Sequence, residues 1–354
     1  MLRYLILVAF IFSLTASFAQ VRKYSNEFLS IGVGARSLAM SNSTIASVDD
    51  VTAGYWNPAG LLNMTRNLNI GLMHSEYFAG ISKFDYGAVG IKNSDSSAIG
   101  ISIIRFGTDD IPDTRDLVDA NGVLHYDLIT NFSVADYAFM FSYARKSKIH
   151  GLQYGANVKI IRRVVGDFAS AWGFGLDAGL QYTHKEWQFG AMARDITSTF
   201  NAWKYNTSTF EEVFNRTGNE IPENGMEITM PKLLLGASRH FPIYKKIRGM
   251  AELDADLSFD GKRDVVIKGD PISVDPHLGI EFDWSKIVYL RMGVGNIQKV
   301  PNFDGKTETT FQPNIGIGIR YKRFGLDYAL TDIGNQSIAL YSNVFSLFYS
   351  LDKK

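Results

Sequence analysis

The six histidines are the side chains best suited to catalysis or metal binding, yet their spacing predicts neither. They are His74, His125, His150, His184, His240 and His277. No two have the spacing of metal ligands, and none lies in a recognisable nucleophile motif. The chain contains no cysteine. A thiol nucleophile, a thiolate metal site and a disulfide framework are therefore excluded.

His74, Ser75 and Glu76 are the one place where three residue types used in catalysis are adjacent. Neighbouring side chains of a strand point to opposite faces, so His74 and Ser75 cannot act together if this segment is extended. The sequence therefore predicts a protein that is not an enzyme and that carries no cofactor and no metal. We therefore expect a function in binding or transport.

Composition restricts the class of partner. The chain has 354 residues, with 36 basic and 36 acidic side chains, so its formal net charge is zero. No cationic surface is indicated for a nucleic-acid backbone, and we expect no nucleic-acid partner. Hydrophobic residues make up 46% of the chain, which is too many for a disordered protein.

The first 19 residues have the pattern of a secretory signal peptide. Arg3 precedes an apolar run over residues 4–14, and Ser17 and Ala19 occupy the small-residue positions before a cleavage site. The run is shorter than the about 20 residues of a membrane-spanning helix. We assign residues 1–19 to this peptide. The mature protein is then either dissolved outside the cytoplasm or inserted in a bacterial outer membrane.

Apolar and polar residues alternate with period two along most of the chain after residue 64. In the segment 173–182, for example, Phe174, Leu176 and Leu180 alternate with Asp177 and Gln181. About fourteen such segments occur, most of them near the length of a membrane-spanning strand. They are residues 68–77, 84–91, 98–106, 136–145, 152–163, 173–182, 187–194, 232–239, 247–259, 277–284, 288–295, 314–321, 324–330 and 343–351.

Short and long connections alternate between these segments, as in outer-membrane barrels. We therefore predict an all-β membrane protein, an antiparallel transmembrane β-barrel of about fourteen strands formed by residues 65–354. The polar rows carry both signs of charge, which predicts a paired and plugged lumen. The alternative is a soluble secreted β-sandwich or propeller, against which stand the charges confined to one row and the absence of a fixed 40-residue repeat.

Residues 20–64 do not alternate and have the character of a small, partly helical plug in the lumen, which we call the hatch. Asn57 precedes Pro58, so a capping side chain stands ahead of a residue suited to the first helical turn. This pair predicts a short helix over residues 58–62. Asp49 and Asp50 predict another short turn near residues 51–53 by the same reasoning.

The hatch also resembles a known family. Residues 28–61 contain G-A-R-S-L-A-M at 34–40, with Arg36, then D-D at Asp49 and Asp50, and W-N-P-A-G from Trp56 through Asn57 and Pro58. This run is similar to the opening of the PorV/PorQ family, relatives of the FadL-type fatty-acid transporters, and it is nearer to PorV. The resemblance implies a 14-stranded outer-membrane barrel with an N-terminal hatch and a role in type IX secretion.

That resemblance implies two protein partners besides outer-membrane lipid. PorV-like members bind the translocon barrel and receive cargo that bears a C-terminal sorting domain. The aromatic loop of residues 195–231 is the best candidate for such a contact, through Trp203, Phe210 and Phe214. The same side chains could instead form a lid over the barrel mouth. The alternative function is a FadL-like channel for uptake of hydrophobic small molecules, which predicts an apolar pocket beneath the hatch.

Overall fold

The computed structural model describes residues 25–119, 121–209, 211–301, 304, 306–333 and 341–352. The predicted signal peptide, residues 1–19, and the predicted contact residue Phe210 lie outside this part of the chain. Within the described ranges, no helix has the length and apolar composition that crossing a bilayer requires.

The described ranges contain sixteen antiparallel strands, and the sheet closes because β1 pairs with β16 as well as with β2. The strands are β1 Leu68–Tyr77, β2 Ser82–Ser94, β3 Ser97–Asp113, β4 Thr130–Lys146, β5 Leu152–Val165, β6 Ala169–His184, β7 Trp187–Arg194, β8 Phe200–Tyr205, β9 Gly225–Ile228, β10 Lys232–Tyr244, β11 Ile247–Ser258, β12 Ser273–Trp284, β13 Val288–Pro301, β14 Thr307–Tyr321, β15 Phe324–Thr331 and β16 Ser342–Leu351. The chain is therefore a closed β-barrel, and the predicted fold class is confirmed.

Fourteen of these strands form the complete circuit of the wall, since β8 and β9 only extend it at one end. Each of the fourteen predicted segments overlaps one wall strand. Several strands exceed their predicted length: β3 continues to Asp113, past a register shift after Thr108, because β4 pairs with it there. The connections are short at the barrel end that holds the β6–β7 turn, which we call the short-turn end. The opposite end is the loop end.

The segment 195–231, predicted as a loop, contains regular structure that the sequence prediction missed. It holds β8, a short helix Glu211–Thr217 and β9. The reason is the unequal length of two neighbours, since β6 has 16 residues and β7 only 8. The half of β6 nearest the loop end needs another partner, and β8 supplies it from Phe174↔Phe200 to Ala169↔Tyr205. In effect β7 and β8 are two halves of one interrupted strand.

Candidate functional site in the barrel lumen

The described part of the hatch runs through the lumen from the loop end to the short-turn end. It contains a 310 helix Glu27–Ser30, helices α1 Ala35–Ala39 and α2 Ala53–Trp56, and a second 310 helix Pro58–Asn63. All side chains of α1 and α2 are buried. This described part begins beside β9, where the Asn26 amide donates to Thr229 Oγ1 at 2.8 Å. It is therefore packed inside the wall along its length.

Asn57 anchors the hatch to the wall near the short-turn end. Its Oδ1 accepts a hydrogen bond from Ala59 N, so it caps the 310 helix that starts at Pro58. Its Nδ2 donates to the carbonyl oxygens of Ile45 at 3.0 Å and Leu180 at 2.9 Å. The approach requires glycine in β6, since a Cβ at Gly179 would lie 2.1 Å from Asn57 Oδ1. The short helix lies where the sequence predicted it.

Arg36 joins the hatch to a chain of paired charges on β12, β13 and β15. Its Nε donates to Glu281 Oε2 at 3.0 Å, and its Nη1 donates to Asp49 Oδ1 at 3.1 Å. Arg291 contacts the same Glu281 oxygen at 2.7 Å and also pairs with Asp327 at 2.8 Å. Burial by itself lowers the pKa of Arg36, but the neighbouring carboxylates, Glu281 first, raise it well above its usual value. Opposite charges are thus paired across the lumen.

The other predicted hatch residues shape its interior. Asp50 Oδ1 accepts from Thr52 N at 2.8 Å, immediately before α2. Trp56 is buried, donates from Nε1 to Val33 O at 2.8 Å and stacks edge-on against Tyr55. Asp49 remains 55% exposed at its side chain despite its pair with Arg36. All six predicted hatch residues therefore lie in one body, although they face different surroundings.

Two buried acids on β11, which the sequence analysis did not single out as a site, hold the backbone of the hatch. Asp254 Oδ2 accepts from the backbone N–H groups of residues 44 and 45, at 2.8 and 3.0 Å. Glu252 Oε1 accepts from those of residues 46 and 47, at 2.7 and 3.3 Å. Their other oxygens, Glu252 Oε2 and Asp254 Oδ1, have no hydrogen-bond partner among the described residues. We call this arrangement the acidic latch.

The wall itself is interrupted beside the hatch, between β7 and β8. Regular pairing of β6 with β7 ends at Ala178↔Ala193 and resumes with β8 at Phe174↔Phe200, so three residues of β6 face six of the other chain segment. The intervening segment bends inward, because Asp195 and Thr199 are buried. Lys159 forms ion pairs with Asp195 and with Asp177, the latter at 2.8 Å, and fixes this bend.

A cavity of about 770 Å³ lies between the hatch and the loop end, and we call it the lumen cavity. Its hatch side includes Ile31, Leu38 and Trp56. One wall is aromatic, and the wall on the far side of the strand circuit is polar. The aromatic residues are Tyr77, Phe78 and Phe106, and the polar ones are Asp256, Asp275 and His277. The uptake alternative predicts an apolar pocket beneath the hatch, whereas this cavity lies above it and is mixed in polarity.

A second pocket, of about 380 Å³, lies at the loop end and is apolar. We call it the rim pocket; it is lined by Arg115, Val165, Phe168, Ala169, Trp203, Tyr205, Phe214 and Pro222. Trp203 and Phe214, the two described members of the predicted partner loop, are half-buried and share this pocket. Arg163 lies over the Trp203 ring at 5.1 Å. These aromatics therefore face a concave site.

The hatch separates the lumen cavity from the rim pocket. Asn201 Nδ2 on β8 donates to Ser25 Oγ and to Asn26 Oδ1, both at 2.8 Å. Ser25 in turn donates to Glu227 Oε2 at 3.1 Å. Glu27 and Ser30 of the next turn line the lumen cavity, and Trp203 two residues along β8 lines the rim pocket. The first described residues of the hatch thus form a polar partition.

Comparison with known proteins finds similarity at the level of structure. No family model and no curated protein matches the chain. The "CymD monoaromatic hydrocarbon channel" has a TM-score of 0.56 at 13% identity, covering 91% of this chain and 98% of that one. The Pseudomonas putida toluene transporter TodX gives 0.55 at 12% identity over 90% and 96%. A Pseudomonas aeruginosa FadL homologue gives 0.52 at 11% identity over 90% and 98%.

This chain has the FadL-type barrel fold. At identities of 11 to 13% the likeness shows the fold alone. The barrel fold that the predicted resemblance implies is therefore confirmed, and the PorV/PorQ assignment stays a prediction. A fold hosts many functions, so function must be argued from the lumen and the rim.

Proposed function

We propose that this barrel is an outer-membrane channel for uptake of small hydrophobic molecules. The observation that carries the proposal is the succession of the rim pocket, the polar partition and the lumen cavity. The rim pocket lies beside the interrupted wall of β6 and β8, and the partition formed by the first described hatch residues separates it from the lumen cavity. A ligand would bind first in the rim pocket, where Trp203 and Phe168 offer apolar area, and would then pass into the lumen cavity.

Two further observations support this proposal. The solved structures that share the fold include proteins described as a monoaromatic hydrocarbon channel and as toluene transporters. Ligand pockets of about 300 to 1,000 Å³ with mainly apolar walls are typical of small-molecule sites, and the rim pocket lies in that range at 380 Å³. The interrupted wall supplies a place where the partition can move without breaking a complete strand ladder.

The hatch must shift for passage to be completed. It closes the path to the short-turn end through Asn57 and the acidic latch. Because both anchors are hydrogen bonds to backbone groups, a small displacement exchanges them for water without unfolding the barrel. We place the mature chain in the outer membrane after removal of residues 1–19, with the short-turn end in the periplasm.

Toluene entry into intact cells tests this function. We expect deletion of the gene to slow uptake of labelled toluene and the wild-type chain to restore it. Trp203→Ala should restore it poorly, because Trp203 lines the rim pocket. Trp172→Ala is the matched control: Trp172 pairs with the neighbour of Trp203 across β6 and β8, but it is 56% exposed on the outer face. Equal uptake in both variants and in the deletion strain would refute the proposal.

A second candidate is a non-enzymatic role in type IX secretion, as a PorV-like component that binds the translocon barrel or the sorting domains of cargo. It is favoured by the PorV/PorQ resemblance of residues 28–61, whose motif residues Arg36, Asn57 and Pro58 form the anchors of the hatch. In this case the rim aromatics would receive a protein segment.

Secretion and uptake can be separated experimentally. A comparison of the surface proteome with and without the gene should show lost cargo if the second candidate holds, and intact secretion if only uptake depends on the chain. Alanine at Trp203, Phe210 and Phe214 together should weaken co-purification with the translocon. Unchanged recovery would contradict that contact.

A further inference from the structure

The outer face of most of the barrel is apolar over the full height of the wall. On β6, β12 and β14 six successive outward positions carry apolar or aromatic side chains. They are Trp172, Phe174, Leu176, Ala178, Leu180 and Tyr182 on β6; Val274, Pro276, Leu278, Ile280, Phe282 and Trp284 on β12; and Phe311, Pro313, Ile315, Ile317, Ile319 and Tyr321 on β14. This band is the surface that lipid requires.

The band is interrupted on β1, β2 and β3. On β1 only three apolar residues face outward, Leu68, Ile70 and Leu72, and the next outward positions are polar. Those polar residues and their neighbours are His74 and Glu76 on β1, Lys83 and Asp85 on β2, and Arg105 on β3. His74, Asp85 and Arg105 are paired in register, as are Glu76 and Lys83. We call these five residues the outer charged patch.

The patch lies within the membrane band, as its position along the strand indicates. His74 is six residues beyond Leu68, the first residue of β1. At about 3.4 Å per residue and a strand tilt of about 40°, it stands about 15 Å above the start of the strand. The apolar band of an outer-membrane barrel is about 25 Å tall. Lipid tails therefore cannot cover this part of the wall as favourably as they cover β6 or β12.

The patch is only partly paired within one chain. Asp85 contacts His74 Nδ1 at 2.7 Å and Arg105 Nη1 at 3.8 Å, so its charge is compensated. Among the described residues, Glu76 forms an ion contact only with His74 Nε2, at 3.9 Å. Although Lys83 stands opposite Glu76 in register, no ion pair joins them in the described part of the chain. Glu76 and Lys83 thus carry opposite charges and project outward side by side.

We propose that the outer charged patch is a two-fold interface at which a second copy of this chain binds within the membrane. A two-fold axis brings the same surface of both copies together, so Glu76 of each copy faces Lys83 of the other. The two signs on one patch make it complementary to itself. An anionic lipid headgroup would meet the carboxylates of Glu76 and Asp85 as well as the cations, so lipid fits it less well.

Cysteine crosslinking tests the interface, because the chain has no cysteine of its own. Gly87 is the next outward position of β2 after Asp85, and a Cβ there would meet no atom closer than 3.6 Å. We expect Gly87→Cys to give a disulfide-linked dimer of twice the mass in native membranes. Ala178→Cys, at an exposed outward position of β6, is the matched control and should stay monomeric.

Charge exchange tests the pairing itself. Glu76→Lys or Lys83→Glu should each lower the yield of the Gly87→Cys dimer by about tenfold, because like charges then face each other. The double variant E76K/K83E should restore it. Retained heat-modifiable mobility in electrophoresis shows that each barrel is folded. Monomeric Gly87→Cys, a crosslink to a different protein, or a yield indifferent to these changes would overturn the proposal. Toluene uptake is measured separately and does not decide it.

Discussion

Removing the acidic latch should release the hatch. The variant is Glu252→Ala with Asp254→Ala, which takes away the acceptors of four backbone N–H groups in residues 44–47. Each buried donor left without a partner costs about 1 to 3 kcal/mol. The sum is about 4 to 12 kcal/mol. We take the lower value, because the variant also removes two buried oxygens, Glu252 Oε2 and Asp254 Oδ1, that have no hydrogen-bond partner among the described residues.

A loss of about 4 kcal/mol raises the population of the displaced hatch by about a thousandfold. Planar-bilayer conductance measures this directly. We expect the wild-type barrel to be closed with rare brief openings, and the double variant to open far more often. Asp264→Ala is the control, because Asp264 pairs with Lys268 at an exposed position in the connection between β11 and β12. A large steady conductance in the wild type, or identical traces for wild type and double variant, would refute the reasoning.

Two further substitutions test the ion pairs at the bend in the wall and the close contact between β6 and the hatch. Lys159→Met leaves two buried carboxylates unpaired at the bend in the wall and should lower the free energy of unfolding in urea by about 3 to 5 kcal/mol, whereas Lys204→Met on the exposed face of β8 should have little effect. Gly179→Ala should displace the hatch, since its Cβ would lie 2.1 Å from a hatch oxygen; we expect increased conductance, and Gly87→Ala, with 3.6 Å of space, should behave as wild type. Unchanged unfolding in the first case, or unchanged conductance in the second, would contradict these contacts.

The strands were predictable because their pattern is local. Each wall strand separates lipid from the lumen, so alternation along Ile315, Gly316 and Ile317 reports the two surroundings directly. The 310 helix at Pro58 was predictable for the same reason, since Asn57 caps it from an adjacent position. Such features depend on residues close in the chain.

The interruption of the wall could not be predicted in this way. It follows from the unequal lengths of β6 and β7 and from the pairing of Lys159 with Asp195, which are 36 positions apart. The acidic latch was equally hidden, because Asp254 and Thr44 are separated by 210 positions. The alternation placed both acids in the lumen row, but not opposite the hatch.

The sequence by itself determined that this chain forms a barrel with a helical segment ahead of it. The two faces of each wall strand have different surroundings, which imposes period two, and capping acts within one helical turn. Only the tertiary structure decided which charges meet, where the wall bends, and that the lumen cavity is mixed in polarity. Register and closure bring together residues from opposite walls, such as Phe106 and His277. Those distances depend on the strand circuit as a whole, and no local pattern encodes them.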